Sequence, residues 1–413
     1  MASWVESAET SETDFPLSNL PFGVLADGRV VIAIGDRVLD LSAAHEANLL
    51  ATAVPSLNVL MSQGARTWRA VRSQVTALLS ADTDEGRRAR SAAEKLLLPM
   101  SSADLVLPAI GDYTDFYASV HHATNVGRLF RPDTPLLPNY KHVPIGYHGR
   151  ASSLVPSGTS IRRPRGQSKL PDADAPVFGP TRSLDYEAEI GFFIGPGNAL
   201  GTPIPMSAAE DHIFGFCLVN DWSARDIQSW EYQPLGPFLG KSFATTLSPW
   251  IVPLDALTPF RVPPSPRPAG DPPPLPYLAS HSETLDIWIE VYLATERMRE
   301  SRHAPVRLSR SNFRDLYWTA PQLLTHHTSN GCNLRPGDLL ASGTISGATP
   351  DSLGCLLELT RRGAAPFTLP TGESRSFLAD GDEITLRAFC ERPGYHRIGF
   401  GGCRGIILPA LTG

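Results

Sequence analysis

The chain reads LDYEAEIGFFI from Leu184 to Ile194, a segment with the alternation and apolar bulk of a β-strand. Side chains two residues apart on a strand share a face, so Glu187 and Glu189 should stand side by side, about 7 Å apart. Two carboxylates this close repel each other unless water screens them or a cation lies between them. Taken alone, the segment favours the commoner arrangement, a solvated strand face.

The composition places the chain among globular proteins with a sizeable core. Its 413 residues suggest about two or three domains, and 42% hydrophobic with 19% charged residues is ordinary for that class. The 34 glycines and 38 prolines favour turn-rich β structure over long helices. A net charge of −6 argues against a nucleic-acid partner.

The cysteines and the N-terminus indicate a cytoplasmic protein. Five widely spaced cysteines without a C-x-x-C pair fit reduced thiols better than a disulfide framework or a zinc site. Residues 1–7 contain neither a basic nor an apolar signal region, so we expect no secretory signal. The longest apolar runs are too short for a membrane span, so we also expect no membrane partner.

The first hundred residues predict a small β-rich domain with helices that ends near Pro108. Two apolar runs flank Gly35-Asp36-Arg37, which predicts a hairpin with a three-residue turn. The spacing of apolar residues from Trp68 to Leu79 predicts a helix, and residues 92–98 predict a second one. This part shows no catalytic constellation.

Beyond Ile110 the chain alternates strands and turns. Eight prolines between Phe260 and Tyr277 predict an extended loop. Apolar residues at every second position from Leu285 to Leu293 predict a long half-buried strand. Residues 313–326 predict a helix in which Pro321 is a kink or a first-turn residue.

Four carboxylates in turn-rich or strand settings are candidate metal ligands: Asp115, Glu187, Glu189 and Asp221. Hard oxygen ligands without cysteine or histidine select Ca²⁺ or Mg²⁺ over zinc or copper. The segment is not an EF-hand loop, and Asp115 and Asp221 could equally be turn or capping residues.

Two histidine pairs allow different interpretations. His121 and His122 follow Tyr117 closely, and a neutral imidazole is the usual general base near neutral pH, although a structural histidine is the commoner case. His326 and His327 fall at a predicted helix C-terminus, where histidine is favoured, so we interpret them as structural.

The basic residues add further candidates. Arg225 and Lys241 flank an aromatic loop dense in Gly and Pro, and Arg131 could bind a carboxylate with two hydrogen bonds. Each could also be a surface charge of little energetic weight. The Gly-Lys-Ser run that includes Lys241 ends like a phosphate-binding loop, but Leu235 stands where that motif needs glycine, so nucleotide binding is rejected.

Six runs of residues resemble the fumarylacetoacetase family. They are GDYTDFY at 111–117, HATNVG at 122–127, GYHGR at 146–150, NDWSARDIQ at 220–228, PLGPFLGKS at 234–242 and SGTISG at 342–347. The resemblance extends from about Phe15 to Leu408, nearly the whole chain. Smaller related hydrolases and isomerases share only the C-terminal part.

The resemblance implies a mainly β fold with some α-helix. An N-terminal SH3-like β-barrel domain with helices would occupy residues 1–108, and a C-terminal catalytic domain, a mixed β-roll, would occupy residues 109–413. It also implies a homodimer with the site near the subunit interface.

The same resemblance assigns roles to individual residues. The metal ligands, for Ca²⁺ and/or Mg²⁺, match Asp115, Glu187, Glu189 and Asp221, with Lys241 and Thr245 close by. The catalytic histidine matches His122, oriented by Glu358, and the groups that stabilise developing negative charge match Arg225, Gln228 and Lys241. The substrate contacts match Tyr117, Arg131, Tyr147, Tyr232 and Thr344.

The implied reaction is metal-dependent hydrolysis of a carbon–carbon bond in 4-fumarylacetoacetate, a small diketo acid, to fumarate and acetoacetate. This is the last step of tyrosine and phenylalanine breakdown. Water activated by His122 would attack the carbonyl, and the metal would stabilise the enolate leaving group.

Two alternatives remain open. One is a related acylpyruvate or fumarylpyruvate hydrolase, against which the N-terminal domain beginning at residues 15–23 argues. The other is a non-catalytic, metal-stabilised binding protein on the same fold, against which the presence of His122 and Glu358 argues.

Overall fold

Five short strands near the N-terminus form one antiparallel sheet in the computed structural model, which describes residues 2–279 and 283–412. The strands are β1 (Phe22–Leu25), β2 (Val30–Ile34), β3 (Arg37–Asp40), β4 (Leu97–Pro99) and β5 (Leu105–Val106). Their order in the sheet is β4-β3-β2-β1-β5.

The predicted hairpin is present, but its turn is one residue shorter than expected. Arg37 pairs with Ile34, so that only Gly35 and Asp36 form the turn. Gly35 adopts a φ of 55°, which a two-residue hairpin turn requires at this position and which glycine adopts without strain.

Five helices accompany this sheet: α1 (Leu41–Glu46), α2 (Leu57–Ser62), α3 (Ala65–Leu79), α4 (Asp84–Ser91) and α5 (Ala93–Leu96). The helix predicted from Trp68 to Leu79 is therefore confirmed. The helix predicted over residues 92–98 is shorter, because Leu97 and Leu98 pair with β3 instead of continuing the helix.

The rest of the chain contains twenty-one further strands in the described ranges. They are β6 (Tyr113–Phe116), β7 (Gly146–Gly149), β8 (Leu154–Pro156), β9 (Ile161–Arg162), β10 (Arg165–Ser168), β11 (Val177–Pro180), β12 (Leu184–Asp185), β13 (Ala188–Ile194), β14 (Ile213–Asp221), β15 (Ser223–Ala224), β16 (Thr245–Leu247), β17 (Val252–Pro253), β18 (Arg261–Val262), β19 (Thr284–Leu285), β20 (Trp288–Ala294), β21 (Val306–Asn312), β22 (Leu339–Ala341), β23 (Phe367–Thr368), β24 (Ser374–Arg375), β25 (Glu383–Cys390) and β26 (Ile398–Leu408).

Two large mixed sheets dominate this part. One has the order β7-β6-β22-β13-β14-β16-β8, with β17 also paired to β14, and the other has the order β21-β20-β25-β26-β9. Most neighbours are antiparallel, whereas β22–β6, β16–β8 and β26–β9 are parallel. The mainly β class expected from the sequence is confirmed.

Helices in this part are few and short: α6 (Val120–Phe130), α7 (Arg225–Glu231), α8 (Glu296–Glu300), α9 (Ala320–Thr328) and α10 (Leu356–Leu359). Short 3₁₀ helices occur at Glu6–Glu9, Met100–Ser102, Ala151–Ser153, Met206–His212, Leu254–Phe260, Pro276–Leu278, Phe313–Asp315 and Pro350–Ser352. Within the described ranges, no helix combines the length and the apolar character needed to cross a bilayer.

The helix predicted over residues 313–326 is in fact a 3₁₀ turn followed by α9. Pro321 occupies the first turn of α9, where its missing N–H removes no helical hydrogen bond. A capping box between Thr319 and Gln322 starts the helix at this point.

Two other sequence predictions agree with the structure. Residues 263–275 have no helix or strand, as the prolines indicated. The alternation from Leu285 to Leu293 buries Ile289, Val291 and Leu293 to 1% exposure or less, although the strand is interrupted between β19 and β20.

The segment from Leu184 to Ile194 forms two strands, β12 and β13, instead of one. The backbone N–H of Tyr186 donates to the Asp185 side chain at 2.8 Å, and that of Glu187 donates to Asn220 Oδ1 at 3.2 Å. These bonds replace ladder bonds at the break. β13 then lies between β22 and β14, in the interior of the large sheet.

The prediction of a solvated face for the two glutamates is wrong. Glu189 is 0% exposed and Glu187 is 5% exposed. One face of the sheet packs in the main core with Phe192 and Ile289, and the other packs against the N-terminal helices through Phe193 and Val75. Because both faces are covered, both carboxylates are enclosed.

Candidate active site

Four carboxylates converge at the ends of adjacent strands in the large sheet. Asp115 lies on β6, Glu187 immediately precedes β13, Glu189 lies on β13 and Asp221 ends β14. One oxygen from each lies within 4.8 Å of the others, and all four residues are buried. The sequence therefore identified a group that the fold does bring together.

Three oxygens of this cluster lack a hydrogen-bond partner in the described ranges: Asp115 Oδ1, Glu189 Oε1 and Glu189 Oε2. Burial and the neighbouring charge of Asp221 raise the pKa of Asp115 well above its ordinary value. Burial, Asp115 and Asp221 raise the pKa of Glu189 in the same way. A cation among these oxygens would supply the missing partner and remove the repulsion, and an all-oxygen set suits Ca²⁺ or Mg²⁺.

Three donors surround Asp221. Lys241 Nζ donates to Asp221 Oδ2 at 2.6 Å and also to Glu187 Oε2. Thr245 Oγ1 donates to Asp221 Oδ1 at 2.7 Å, and the Tyr147 hydroxyl donates to Oδ2 at 2.8 Å. Burial alone would lower the pKa of Lys241, but Asp221 and Glu187 raise it, so the ammonium remains charged.

A histidine–glutamate pair forms a second buried group. His122 lies in the first turn of α6, capped by Ser119, and its Nδ1 is 2.7 Å from Glu358 Oε2. Asn125 Nδ2 donates to Glu358 Oε1 at 2.8 Å, and Ser346 Oγ donates to Oε2 at 2.7 Å. Burial alone would raise the pKa of Glu358, but these donors lower it to about 2.

The low pKa of Glu358 fixes the tautomer of a neutral His122. An ionised carboxylate only accepts hydrogen bonds, so Nδ1 of His122 must carry the shared proton. The lone pair of neutral imidazole then lies on Nε2, where it can accept a proton. This arrangement is suited to a general base.

Arg225 connects the carboxylates to their surroundings. Its Nη1 donates to Glu187 Oε1 at 2.7 Å and to Gln228 Oε1 at 3.3 Å, and its Nε donates to Asp185 Oδ2 at 2.9 Å. The remaining nitrogen, Nη2, is buried and has no partner in the described ranges. One guanidinium nitrogen is therefore free to meet an incoming oxygen.

The five residues assigned to substrate contact do not all meet at this site. The ring of Tyr117 stands edge-on to that of His122, with centroids 5.2 Å apart, and Tyr147 bonds Asp221. Thr344 is buried beside Ile345, whose N–H donates to the Ala188 carbonyl.

The other two lie at helix ends. Arg131 follows α6 and its guanidinium donates to the Pro135 carbonyl, whereas Tyr232 follows α7 and is 37% exposed. Within the described ranges, no hydrogen bond joins either side chain to the carboxylates or to the His122–Glu358 pair.

Sequence reasoning missed four residues that contact the site: Asn125, Asp185, Ser346 and Cys355. Asp185 lies two positions before Glu187, and Asn125 lies one helical turn after His122, so both spacings offered a signal. The Cys355 thiol donates to Glu358 Oε2 at 3.2 Å. Burial raises the pKa of that thiol, which keeps it protonated and unsuited to metal binding.

A mixed β fold that encloses four carboxylates, a His–Glu pair and two cations defines a hydrolase of the metal-assisted class. Comparison with known protein families makes this specific. The family described as Fumarylacetoacetase N-terminal matches residues 18–108, and that described as Fumarylacetoacetate (FAA) hydrolase C-terminal matches residues 112–406. The chain belongs to the fumarylacetoacetase family.

Full-length relatives agree with this assignment. The fumarylacetoacetases of Bos taurus and Homo sapiens are each 51% identical to the chain over 428 residues, covering 99% of both sequences. The fumarylacetoacetase of Arabidopsis thaliana is 50% identical over 417 residues, covering 97% of both.

Solved structures share the fold at low identity. The fumarylacetoacetate hydrolase of Exiguobacterium antarcticum is 18% identical with a TM-score of 0.51, covering 95% of this chain and 99% of that one. A maleylpyruvate hydrolase from Sphingobium sp. SYK-6 is 16% identical with a TM-score of 0.51, covering 95% and 100%. These two comparisons establish a common fold and nothing finer.

Proposed function

We propose that the chain hydrolyses 4-fumarylacetoacetate to fumarate and acetoacetate. The observation that carries this proposal is a buried site in which hydrogen bonds link the carboxylate cluster to the helix of Glu358, the partner of His122. Arg225 donates to Glu187 and to Asp185, and Asp185 accepts from the N–H of Leu356 at the start of that helix. Relatives about 50% identical over 97–99% of the chain support the same activity.

The proposed metal ligands are the four carboxylates Asp115, Glu187, Glu189 and Asp221, with Lys241 and Thr245 beside them. Their unpartnered oxygens and all-oxygen chemistry support Ca²⁺ or Mg²⁺. When bound, such a cation would act as a Lewis acid and orient neighbouring oxygens of a diketo acid.

His122 is the proposed general base. Its Nε2 would take a proton from water while the hydroxide equivalent adds to the carbonyl carbon of the substrate. Glu358 holds the proton on Nδ1 and stabilises the imidazolium that forms. After the carbon–carbon bond breaks, the proton on Nε2 would pass to the acetoacetate carbanion, which completes the balance.

Three groups are proposed to stabilise negative charge on the attacked oxygen: Arg225, Gln228 and Lys241. Arg225 Nη2 lacks a partner, and Gln228 uses its oxygen to accept from Arg225, which leaves its amide N–H groups as donors. Donors fixed in a buried site stabilise an oxyanion without reorganisation.

The proposed substrate contacts are Tyr117, Arg131, Tyr147, Tyr232 and Thr344. Hydroxyl groups and one guanidinium are suited to bind the two terminal carboxylates of a fumaryl diketo acid. Arg131 and Tyr232 follow the C-termini of the helices whose first turns carry His122 and Arg225, so they would contact substrate groups remote from the reacting carbonyl.

We further propose a division into an N-terminal SH3-like domain, residues 1–108, and a catalytic domain, residues 109–413. The segment between β5 and β6 supports this boundary. The proposed location is the cytoplasm, for which five free thiols are suited to a reducing compartment.

A homodimer is also proposed, with its interface near the site. We define the apolar patch as Leu170, Val177, Phe178, Trp230, Leu235, Phe238 and Leu239, which are all exposed. The β10–β11 hairpin contacts α7 through Gly166 and Ile227, so the patch adjoins the helix that begins at Arg225. Exposed apolar surface of this kind is typical of an interface.

The test follows loss of the diketo chromophore of 4-fumarylacetoacetate spectrophotometrically. We expect turnover that chelation abolishes and that Ca²⁺ or Mg²⁺ restores. Faster turnover of acylpyruvates or fumarylpyruvate would favour the related hydrolase activity instead. Metal binding by calorimetry without turnover of any of these substrates would favour a binding protein.

A further inference from the structure

Asp185 is a buried carboxylate to which the proposed reaction assigns no role. It ends β12 and is 0% exposed. Oδ1 accepts from the backbone N–H groups of Leu356 and Tyr186, each at 2.8 Å. Oδ2 accepts from the N–H of Leu357 at 3.0 Å and from Arg225 Nε at 2.9 Å. A carboxylate offers about four acceptor positions, so all of them are used within the chain.

These four bonds join the two ends of the proposed site. Leu356 and Leu357 begin α10, and Glu358 follows them directly, so Asp185 holds the start of the helix that orients His122. The same carboxylate holds the guanidinium of Arg225, whose Nη2 is buried without a partner in the described ranges.

We infer that Asp185 is a positioning residue that fixes the His122–Glu358 pair relative to Arg225. The geometry supports this role because the start of α10 and the guanidinium of Arg225 bond the same carboxylate, and Leu357 and Arg225 share its Oδ2. The proton acceptor acts on the attacking water and the oxyanion donor acts on the carbonyl that this water attacks, and an error of about 1 Å between them lowers the rate strongly. The inference rests on the proposed function.

A purely structural role would have a different signature. Asp382 offers the matched comparison, because it is also 0% exposed and accepts from a guanidinium, that of Arg375, and from a backbone N–H, that of Ala379. Its partners lie outside the site described above. Loss of either carboxylate should destabilise the fold, but only loss of Asp185 should alter catalysis.

The experiment measures kcat for Asp185→Asn and Asp382→Asn with 4-fumarylacetoacetate, in the wild-type and Glu358→Gln backgrounds. In the wild-type background, Asp185→Asn should lower kcat about 10- to 100-fold, because its amide N–H₂ replaces one accepting oxygen. Two of the four donors, either Leu356 and Tyr186 or Leu357 and Arg225, then face another donor instead of an acceptor. In the Glu358→Gln background, Asp185→Asn should lower kcat by less than about threefold, since the His122–Glu358 pair that Asp185 positions is already disabled.

Asp382→Asn should lower the unfolding temperature and leave kcat within about twofold of its background. Near-wild-type kcat in Asp185→Asn would overturn the inference, as would equal losses in both backgrounds. If Asp185→Asn does not fold, Asp185→Glu takes its place, since it keeps the charge and displaces both oxygens. Its kcat is measured in the same two backgrounds and judged by the same criteria. Absence of turnover by the wild-type chain would instead refute the proposed function.

Discussion

Glu189 is completely buried, yet neither of its carboxylate oxygens has a hydrogen-bond partner in the described ranges. Burial and the charges of Asp115 and Asp221 therefore disfavour the ionised form of Glu189. Glu187 differs, because Lys241 and Arg225 donate hydrogen bonds to its carboxylate. This residue distinguishes the metal-free from the metal-bound chain most clearly, because its charge must be neutralised by a proton when no cation is bound.

Glu189→Gln should weaken binding of Ca²⁺ or Mg²⁺ by at least about tenfold, since one charged ligand is lost. In chelator, the same variant should unfold at or above the wild-type temperature, because it removes repulsion and breaks no hydrogen bond. Calorimetric titration and thermal unfolding measure the two effects. The exposed Asp112→Asn is the control, and wild-type metal affinity in Glu189→Gln would contradict the ligand assignment.

His122→Ala should retain substrate binding and lose about 10²- to 10⁴-fold in kcat, because water loses its base. The neighbouring His121→Ala is the matched control, since it removes an imidazole one residue away. Steady-state kinetics with both variants separates kcat from KM. Turnover close to wild type in His122→Ala would rule out its role.

Residue-scale prediction from the sequence succeeded where neighbouring residues carry the information. The pairing of Glu187 with Glu189 and the presence of His122 were visible locally. The burial of these residues was not visible, because alternation shows which residues share a face but not what packs against that face. Asp185 was missed because Leu356 and Leu357, its partners, lie 171 and 172 positions away.

At the scale of elements, α9 places two histidines in its last turn. A helix C-terminus favours a charged histidine, but here burial dominates and lowers the pKa of His327 to about 4 from its ordinary 6.5. Its Nε2 lies 2.9 Å from Thr114 Oγ1 on β6, so the helix end packs against the large sheet.

This shift predicts the direction of acid destabilisation. The unfolded chain binds a proton at His327 near pH 6.5 and the folded chain only near pH 4. Stability is therefore full above about pH 6.5 and falls as the pH drops toward 4, by up to about 1.4 kcal/mol per unit. Denaturant titrations should show a shallower fall for His327→Gln, whereas the exposed His142→Gln should follow the wild type; identical slopes would contradict the shift.

Arg267 is one of the side chains that hold the proline-rich loop against the core, beside Ser265, which bonds the Arg314 carbonyl, and Asp271, which pairs with Lys141. The guanidinium of Arg267 lies 4.1 Å from the ring centroid of Tyr317 and 4.5 Å from that of Trp318. It also donates to the Tyr317 hydroxyl at 2.7 Å. Proline fixes the extended path of the loop, and this contact contributes to its position.

Arg267→Ala should lower the free energy of unfolding by about 1–2 kcal/mol, because it removes two cation–π contacts and a hydrogen bond. Chemical denaturation measures the change. Arg392→Ala is the control, since that residue is exposed and lies 5.9 Å from the Tyr395 ring. An unchanged midpoint in Arg267→Ala would show that the loop is anchored elsewhere.

Element prediction failed mainly where tertiary pairing competes with local preference. Residues 97–98 continue a helical pattern, yet they join the sheet because β3 offers them hydrogen bonds. The break between β12 and β13 arises from Asp185 and Asn220 side chains that bond the backbone. β3 and Asn220 lie far from these segments in sequence, and the strand pattern does not show that Asp185 bonds the backbone of the next residue.

At the scale of the whole molecule, the apolar patch predicts self-association. Phe178 on β11 is 67% exposed, and Leu235, in the loop that follows α7, is 98% exposed. β10, the partner strand of β11, packs on α7 through Gly166 and Ile227. Isolated exposed apolar residues are common, but a contiguous group indicates a partner. A second copy is the occupant implied by the family resemblance.

Phe178→Asp combined with Leu235→Asp should convert a dimer into monomers, because burying two carboxylates in an interface is costly. Size-exclusion chromatography with light scattering measures the mass of each variant. Leu200→Asp is the control, since Leu200 is 80% exposed and lies outside the patch. A dimer that survives the double substitution would place the interface elsewhere.

The packing of the N-terminal helices on the large sheet determines how far this enzyme can be reduced in size. Every proposed site residue belongs to the C-terminal part, but Phe193, Phe214 and Val219 on the back of the same strands share a core with Val71 and Val75. A chain truncated before β6 would expose that apolar surface to water and would tend to aggregate. The N-terminal domain thus covers the apolar back of the catalytic strands. A minimal enzyme without this domain would need that surface redesigned with polar residues.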